Sequence, residues 1–263
     1  MDKKVVFFDF DGTLVDESEQ IYTLSEATKQ ALLQLRQNNI LTFLCTGRSY
    51  AYIPKDLGDF FTGYICCNGA AIVVDGIEIY KKNIENLDAQ ELLNFVKENN
   101  IGCVFEHNME CHYTVNNIDI IRDVFGHFSI DISDFKEMPK DLTNYKPCKC
   151  FIMSNKEASK IFYEKYKNKF NVIVGKGGIY FDFNAKGVSK ATGILKVLER
   201  YNINIKNTYA FGDGDNDVEM FKCVENAIAI EKHSDKLDEY AKFICPSVKD
   251  EGVSVALKKL KLI

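Results

Sequence analysis

Asp9-Phe10-Asp11-Gly12-Thr13 follows directly on the apolar run Val5-Val6-Phe7-Phe8, so two carboxylates sit where a buried strand stops and the chain turns. A parallel sheet presents ligands at the carboxyl ends of its strands, and acids placed there cost solvation unless a cation or a reaction needs them. The competing reading is a β-hairpin, since Asp-Gly between apolar runs is a common tight-turn pair. A second acidic string, Gly212-Asp213-Gly214-Asp215-Asn216-Asp217, lies between Tyr209-Ala210-Phe211 and a helix expected from Val218. As a dinucleotide loop it lacks the third glycine and sets three acids where a pyrophosphate needs bare backbone donors. As an EF-hand it carries Val218 at the required glycine and Val224 at the bidentate glutamate. What survives is an acidic loop at a strand end, which the fold can bring beside Asp9 and Asp11. Hard carboxylate oxygens with few other ligands suit Mg²⁺, which keeps several waters and accepts a phosphate oxygen. The plainer alternative is an Asx-rich turn that caps a helix.

Two weaker pieces accompany these strings. Thr46-Gly47-Arg48 ends a second apolar run, where a hydroxyl and the following amide can hold a phosphate oxygen or merely enter a helix. Lys190 opens a helix expected after Gly187; alone, such a lysine is an ordinary solvated residue.

The elements that must position these residues follow from periodicity. Residues 18–39 carry apolar spacing (Ile21, Leu24, Ala27, Ala31, Leu32, Leu35) suited to one amphipathic helix, followed by a strand from Ile40 to Cys45. That is a βαβ unit with no room for a further domain between Thr13 and Thr46. A short strand from Gly63 to Cys67 ends in Asn68-Gly69, and a hairpin pivots on Asp75-Gly76 between Ile72–Val74 and Ile77–Tyr80. About a hundred residues from Asn83 to Ala185 alternate helices and strands, too many and too regular for a loop. This insertion is expected to begin with a helix at Asp88, boxed by Glu91. Strands then follow at 101–106 and 111–115, a helix at 117–125, a strand at 148–153, a helix at 156–167 and strands at 170–174 and 179–183. Beyond it, Val188–Tyr201 reads as helix and Thr208–Phe211, Ala227–Ile230 and Phe243–Cys245 as strands, with helices ending near Leu262. The expected fold class is α/β: a doubly wound, Rossmann-like parallel-sheet core (residues 1–83 and 186–263) with an inserted smaller α/β domain (residues 84–185) whose sheet has one open face.

Composition narrows the function. The 263 residues are 46% hydrophobic and 27% charged, as in ordinary soluble domains. The four apolar residues before Asp9 are too few for a signal-peptide core, and nowhere do eighteen apolar residues run together. A soluble, cytoplasmic protein is expected, with no membrane partner and no more than a weak homodimer. Nine unevenly spaced cysteines form no disulfide framework, and neither Cys103, His107, Cys111 and His112 nor Cys148 and Cys150 make a zinc knuckle. A net charge of -5 disfavours nucleic acid, which binds through clustered Lys and Arg. Small phosphorylated metabolites remain, provided a cation offsets the acids.

In chain order, Asp-x-Asp-Gly-Thr follows strand one, Thr-Gly follows strand two, a lysine opens a helix after the insertion, and Gly-Asp-x-x-Asn-Asp follows a later strand. This resembles the haloacid dehalogenase superfamily of phosphohydrolases, and more narrowly its Cof-type branch with a type IIB cap, because the insertion falls between the second and third motifs. The resemblance extends to Asp250-Glu251-Gly252-Val253 before the last helix. It implies a phosphatase of small organic phosphates, typically sugar phosphates, with pyridoxal phosphate or flavin mononucleotide as further substrates among relatives. It implies Asp9 as the nucleophile that forms an aspartyl-phosphate and Asp11 as general acid and base. Mg²⁺ would be held by the Asp9 carboxylate, the Asp11 carbonyl and Asp213. Phe10, Thr46, Gly47, Lys190 and Asn216 would surround the phosphate, with Thr13 and Asp217 in support. Leaving-group contacts would come from Arg48 and from cap residues such as His107, His112, Tyr113, Arg122 and Tyr180. A phosphomannomutase-like mutase is the nearest rival, but a mutase needs forks for a second phosphate, and Arg122 is the only arginine between 84 and 185. A non-catalytic metabolite sensor is a third reading, disfavoured because it need not keep a nucleophile and an acid together.

Overall fold

Contacts within the chain divide it into two units, Met1–Gly47, Pro54–Ile79 and Ser189–Ile263 against Arg48–Ile53 and Tyr80–Val188. They were traced in a computed structural model that describes residues 3–115, 117–153, 156–175, 178 and 180–263, with residues 156–159 by their backbone alone. In chain order the first unit contributes Val5–Phe8 (β1), Glu26–Gln37 (α1), Leu41–Cys45 (β2), Gly63–Cys66 (β3), Ala71–Val74 (β4) and Ile77–Lys81 (β5), whose last two residues cross into the second unit. The second has Asn86–Glu98 (α2), Gly102–Glu106 (β6), Cys111–Tyr113 (β7), Ile118–His127 (α3), Lys136–Glu137 (β8), Lys149–Met153 (β9), Lys156–Tyr166 (α4), Phe170–Val174 (β10) and Tyr180–Ala185 (β11). The chain returns to the first with Lys190–Tyr201 (α5), Thr208–Gly212 (β12), Val218–Lys222 (α6), Asn226–Ile230 (β13), Phe243–Cys245 (β14) and Gly252–Lys259 (α7).

The first unit is built on an eight-stranded sheet in the order β14-β13-β12-β1-β2-β3-β4-β5. From β14 to β3 every neighbouring pair is parallel, and β4 then runs antiparallel to β3. All four side chains of β1 are fully buried, as a strand covered on both faces requires. Its helices pack as two groups, α1 with α7 and α5 with α6, in the manner of a doubly wound sheet. The chain moves outward from β1 through β2 and β3, and outward the other way through β12, β13 and β14. The strand order therefore reverses between β1 and β12, and that switch point is where such sheets bind ligands.

Two expected helix starts shift. α1 begins at Glu26, because Ser25 accepts the Thr28 amide at 3.1 Å, and Asp16 and Ile21 pair in an antiparallel bridge upstream. Thr28 takes the buried position expected for Ala27, which is exposed. α2 begins at Asn86 with no side-chain cap; Asp88 and Glu91 instead hold Lys169 at 2.7 and 2.6 Å. The Asp75-Gly76 hairpin forms as read, with both residues at positive φ.

In the second unit a six-stranded sheet runs β10-β11-β9-β6-β7-β8, antiparallel except where β7 meets β8, a short strand absent from the sequence reading. Residue 179, the expected first residue of the last strand, lies outside the described residues. Cys103, Phe105, Cys150, Ile152, Phe181 and Phe183 face a core with Leu92 and Leu93 of α2 and Phe162 of α4. The opposite face is not left open: Val104, Phe151 and Met153 pack there against Ile121, Phe125 and Phe135. Arg48–Ile53 joins this unit because Ser49 Oγ and the Ala51 amide both donate to the Asn108 carbonyl at 2.7 Å. All nine cysteines are free thiols, eight of them buried. Among the described residues no helix is long and apolar enough to cross a membrane.

Candidate active site

Phe8 and Phe211 are register partners on adjacent parallel strands, and their rings stack with centroids 5.2 Å apart. Asp9 and Asp213 therefore leave the sheet side by side at the switch point, and the Asp9 amide donates to the Phe211 carbonyl at 2.9 Å. After Asp9 the chain makes a tight loop: the amides of Thr13, Leu14 and Val15 all turn back to the Phe10 carbonyl. The hairpin reading of Asp11-Gly12 is thus excluded, because the next strand, β2, pairs parallel to β1. Phe10 is buried, which leaves its backbone as the part that can face a ligand.

Gly12 is required here twice over. Its φ is +91°, and a Cβ on it would lie 2.2 Å from Asp213 Oδ2. Gly12→Ala is accordingly expected to destabilise the fold by roughly 1–3 kcal/mol, measurable by denaturant unfolding, as the loop and Asp213 are forced apart.

The second acidic loop is folded by its own last residue. Asp217 Oδ2 accepts the amides of Asp213 and Gly214 at 3.0 and 2.9 Å, and a side chain on Gly212 would collide with the Asp217 carboxyl. Thr13 Oγ1 donates to Asp213 Oδ1 at 2.7 Å and ties the two loops together. The Ser234 amide donates to the Asp213 carbonyl at 2.8 Å from a loop the sequence did not single out.

Lys190 is no surface residue. It is 1% exposed, and its Nζ lies 2.5 Å from Asp9 Oδ1 and 2.6 Å from Asp217 Oδ1. A cation at the first position of a helix opposes the helix dipole, so the two carboxylates are what hold its charge there. Ser189 and Thr192 fix that helix start, with the Ser189 amide donating to Thr192 Oγ1 at 3.1 Å. Burial alone works against the ammonium, yet Asp217 and Asp9 outweigh it and hold the Lys190 pKa above its ordinary value. Burial pushes Asp9 up to about 7, with Lys190 opposing the rise and Asp217 and Asp11 adding to it. Asp213 is likewise raised, by burial first and then by Asp9 and Asp217.

Ligand atoms of Asp9, Asp213 and Asp217 lie within 4.8 Å of one another. Three carboxylates face one ammonium, an excess of two negative charges that a divalent cation would balance. All the donors are hard carboxylate oxygens, the set that suits Mg²⁺. Asp217 is the least available, since both its oxygens already serve Lys190 and the loop amides.

The remaining sequence candidates fall in two places. Asp11 is half-buried two residues beyond Asp9, and its charge reaches that carboxylate. Buried Thr46 and half-buried Gly47 follow β2, beside β1 at the same end of the sheet. Asn216 is half-buried in the single 3-10 turn Asp215–Asp217. The leaving-group candidates, six in all, lie in the second unit. Arg48 donates to the Phe128 carbonyl at 3.2 Å, and Tyr180 packs on the Phe128 and Phe151 rings. His112 belongs to the opposite sheet face, its Nδ1 3.2 Å from the Tyr145 hydroxyl, near His107. Arg122 is exposed and paired with Asp119 at 2.9 Å. Tyr113, on the face with Tyr180, packs against the α3 cluster.

One charged cluster escaped the sequence reading. Lys149 is 2% exposed, with Nζ 3.1 Å from fully buried Glu106 and 3.0 Å from Asp182, and Tyr52 donates to Glu106 at 2.9 Å. Burial raises Glu106 to about 7 against the pull of Lys149. The signal was there in part: a charged residue ends or opens each of two otherwise apolar strands, and Glu106 and Lys149 are register partners.

A family model described as haloacid dehalogenase-like hydrolase matches residues 6–257. YkrA of Bacillus subtilis (strain 168), provisionally named a phosphatase, is 27% identical over 264 residues that span all of both chains. YcsE of the same organism, named a 5-amino-6-(5-phospho-D-ribitylamino)uracil phosphatase, is 24% identical over 98% of this chain and 96% of its own. Among solved structures, a hypothetical protein from Geobacillus kaustophilus HTA426 aligns with a TM-score of 0.86 at 26% identity, over 99% of this chain and 100% of the other. The subclass IIB sugar phosphatase BT4131 aligns with a TM-score of 0.86 at 23% identity, over the same shares, a likeness of fold.

Proposed function

The chain belongs to the haloacid dehalogenase-like hydrolases, and from that membership we propose that it is a Mg²⁺-dependent phosphatase of small phosphorylated metabolites, sugar phosphates foremost. The observation that carries this reading is a buried carboxylate, Asp9, set against a buried ammonium within an acid group whose charge calls for a divalent cation. Relatives bearing phosphatase names over their full length support it.

In this reading Asp9 attacks phosphorus through one carboxylate oxygen, and the bond from phosphorus to the ester oxygen breaks. Asp11, half-buried beside it, gives its proton to the departing alkoxide. Asp11 then takes a proton from water, which attacks phosphorus and releases Asp9 as a free carboxylate. Lys190, the amides after Asp9 and Thr46, and the Thr46 hydroxyl stabilise the charge on the transferring group, the dominant contribution in phosphoryl transfer. Mg²⁺, held by Asp9 and Asp213 with the Asp11 carbonyl, would supply charge neutralisation between nucleophile and phosphate. Asp217 keeps Lys190 and the Asp213 loop in place. Leaving-group selection we assign to the second unit as a cap, with Tyr180 and Arg48 as its readers. Arg122, turned to solvent with Asp119, and His112, engaged by Tyr145, are less suited to the task.

Phosphate release with Mg²⁺ across phosphorylated sugars, pyridoxal phosphate and flavin mononucleotide, run beside Asp9→Asn, tests the reading. Release above that variant on at least one substrate is expected. None on any, or isomerised sugar phosphate without free phosphate, would overturn it.

The cation also leaves a pH signature. A carboxylate whose folded pKa is raised binds a proton that the unfolded chain has lost, so it makes the metal-free fold less stable as pH rises through that range. Mg²⁺ competes with those protons. Its thermal stabilisation of the protein should therefore be larger at pH 8 than at pH 5.5, read as the shift in melting temperature on adding the ion. An equal shift at both values would contradict the assignment of Asp9 and Asp213 as its ligands.

A further inference from the structure

Between β3 and β4 the chain passes through Cys67, Asn68 and Gly69 with φ of +50°, +55° and +96°, three successive residues in the left-handed region. A tight hairpin needs two such residues and usually fills them with Asn or Gly at the surface. Here the first is a cysteine, and all three are buried. Asn and Gly enter that region readily, but a cysteine there carries a steric cost that its surroundings must offset.

Two sets of contacts do so. The Asn68 amide donates to the Thr46 carbonyl at 3.1 Å, while the Thr46 amide donates to the Ile65 carbonyl at 2.9 Å. Both backbone groups of Thr46 are thus held by the end of β3 and the turn that follows. On its other side the turn lies against the start of α5. A Cβ on Gly69 would stand 2.0 Å from the Ser189 carbonyl oxygen and 3.2 Å from the Lys190 amide nitrogen. Gly193, one turn on, is bare for the same reason, since its Cβ would lie 2.4 Å from Ile65 and 3.2 Å from the Gly69 Cα.

We propose that the Cys67-Asn68-Gly69 turn is a positioning element that sets the spacing of Thr46 from Lys190, with the left-handed backbone of Asn68 as its keystone. This rests on the reading above, in which those two residues hold the transferring phosphate. The turn bears on Thr46 and on the start of α5, so its effect falls first on phosphate placement and reaches the cation only at second hand, through the Lys190–Asp9 pair.

The test compares Asn68→Val, whose branched side chain resists a left-handed backbone, with Asn68→Gly, which adopts it freely. Both are measured for steady-state phosphate release, for Mg²⁺ affinity by melting-temperature shift and for thermal stability, beside wild type and Asp9→Asn. Wild-type release above Asp9→Asn establishes the phosphatase reading independently. Given that, Asn68→Val should lose about 100-fold in kcat, the scale of a 1 Å misplacement, with a much smaller change in Mg²⁺ affinity. Asn68→Gly should recover most of that loss. The proposal is overturned if folded Asn68→Val turns over like wild type, if Mg²⁺ affinity falls in parallel with turnover, or if Asn68→Gly is as impaired as Asn68→Val. Should Asn68→Val fail to fold, Cys67→Val against Cys67→Gly asks the same question one residue earlier, with the same outcomes deciding.

Discussion

Asp9→Asn should lower turnover by a factor on the order of 10⁴ or more while leaving the fold at least as stable as before. The amide keeps the shape of the carboxylate but offers phosphorus no anionic oxygen. The stability half of this expectation comes from the electrostatics. Asp9 is 5% exposed, and burial together with Asp217 and Asp11 disfavours its charge. Lys190 retains Asp217 as a partner at 2.6 Å when Asp9 becomes neutral. Removing one of three crowded acids therefore relieves repulsion that the metal-free protein otherwise carries. Phosphate release and a melting curve without Mg²⁺ should move in opposite directions. A merely structural carboxylate would lower both.

Lys190→Met should do the reverse to stability and the same to activity. A methionine fills the volume of the lysine stem but leaves buried Asp9 and Asp217 and half-buried Asp213 without that counter-charge. Breaking a buried ion pair from one side typically costs about 3–5 kcal/mol, because the remaining charge is stranded. The acids can escape part of that cost by binding protons. The folded pKa values of Asp9 and Asp213, already raised, rise further without the ammonium, so the folded variant holds protons that its unfolded chain has released. Stability of Lys190→Met relative to wild type should hence be least impaired near pH 5 and fall as pH rises towards 8. Added Mg²⁺ should restore part of the stability and little of the turnover. Urea unfolding at the two pH values decides the matter, and a pH-independent difference would mean that Lys190 contributes packing alone.

The parts of this molecule legible in the sequence are those where one residue's type fixes one local event. Asp-Gly at 75–76 had to turn, and the apolar run before Asp9 had to be a buried strand, because period and turn chemistry are local. The acid at 213 could be placed opposite Asp9 because chain order limits a doubly wound sheet to few strand arrangements. What could not be read depends on partners far along the chain. Lys190 taken alone reads as a solvated lysine and enters the site only through the resemblance, and Asp9 and Asp217, far apart in sequence, make its burial tolerable. Asp88 and Glu91 looked like a helix start until Lys169 claimed both. Ser25 set the start of α1 because the segment before it had a competing bridge. Glu106, Lys149 and Asp182 are single charges in apolar strands that make sense only when three strands are laid side by side. The left-handed turn at 67–69 is of the same kind: Asn-Gly marks a turn, but nothing local says that α5 will press against it.

In this mechanism a carboxylate oxygen of Asp9 is the atom that takes up phosphorus. Acid quenching of the protein during turnover of a phosphorylated sugar with Mg²⁺, followed by peptide mass analysis, tests this directly. A phosphoryl group on the peptide containing residue 9 is expected in wild type, and in Asp11→Asn, where both its formation and its release to water are slowed, and none in Asp9→Asn. Sustained phosphate release with no adduct at residue 9 in either the wild type or Asp11→Asn, or an adduct on any other side chain, would contradict it.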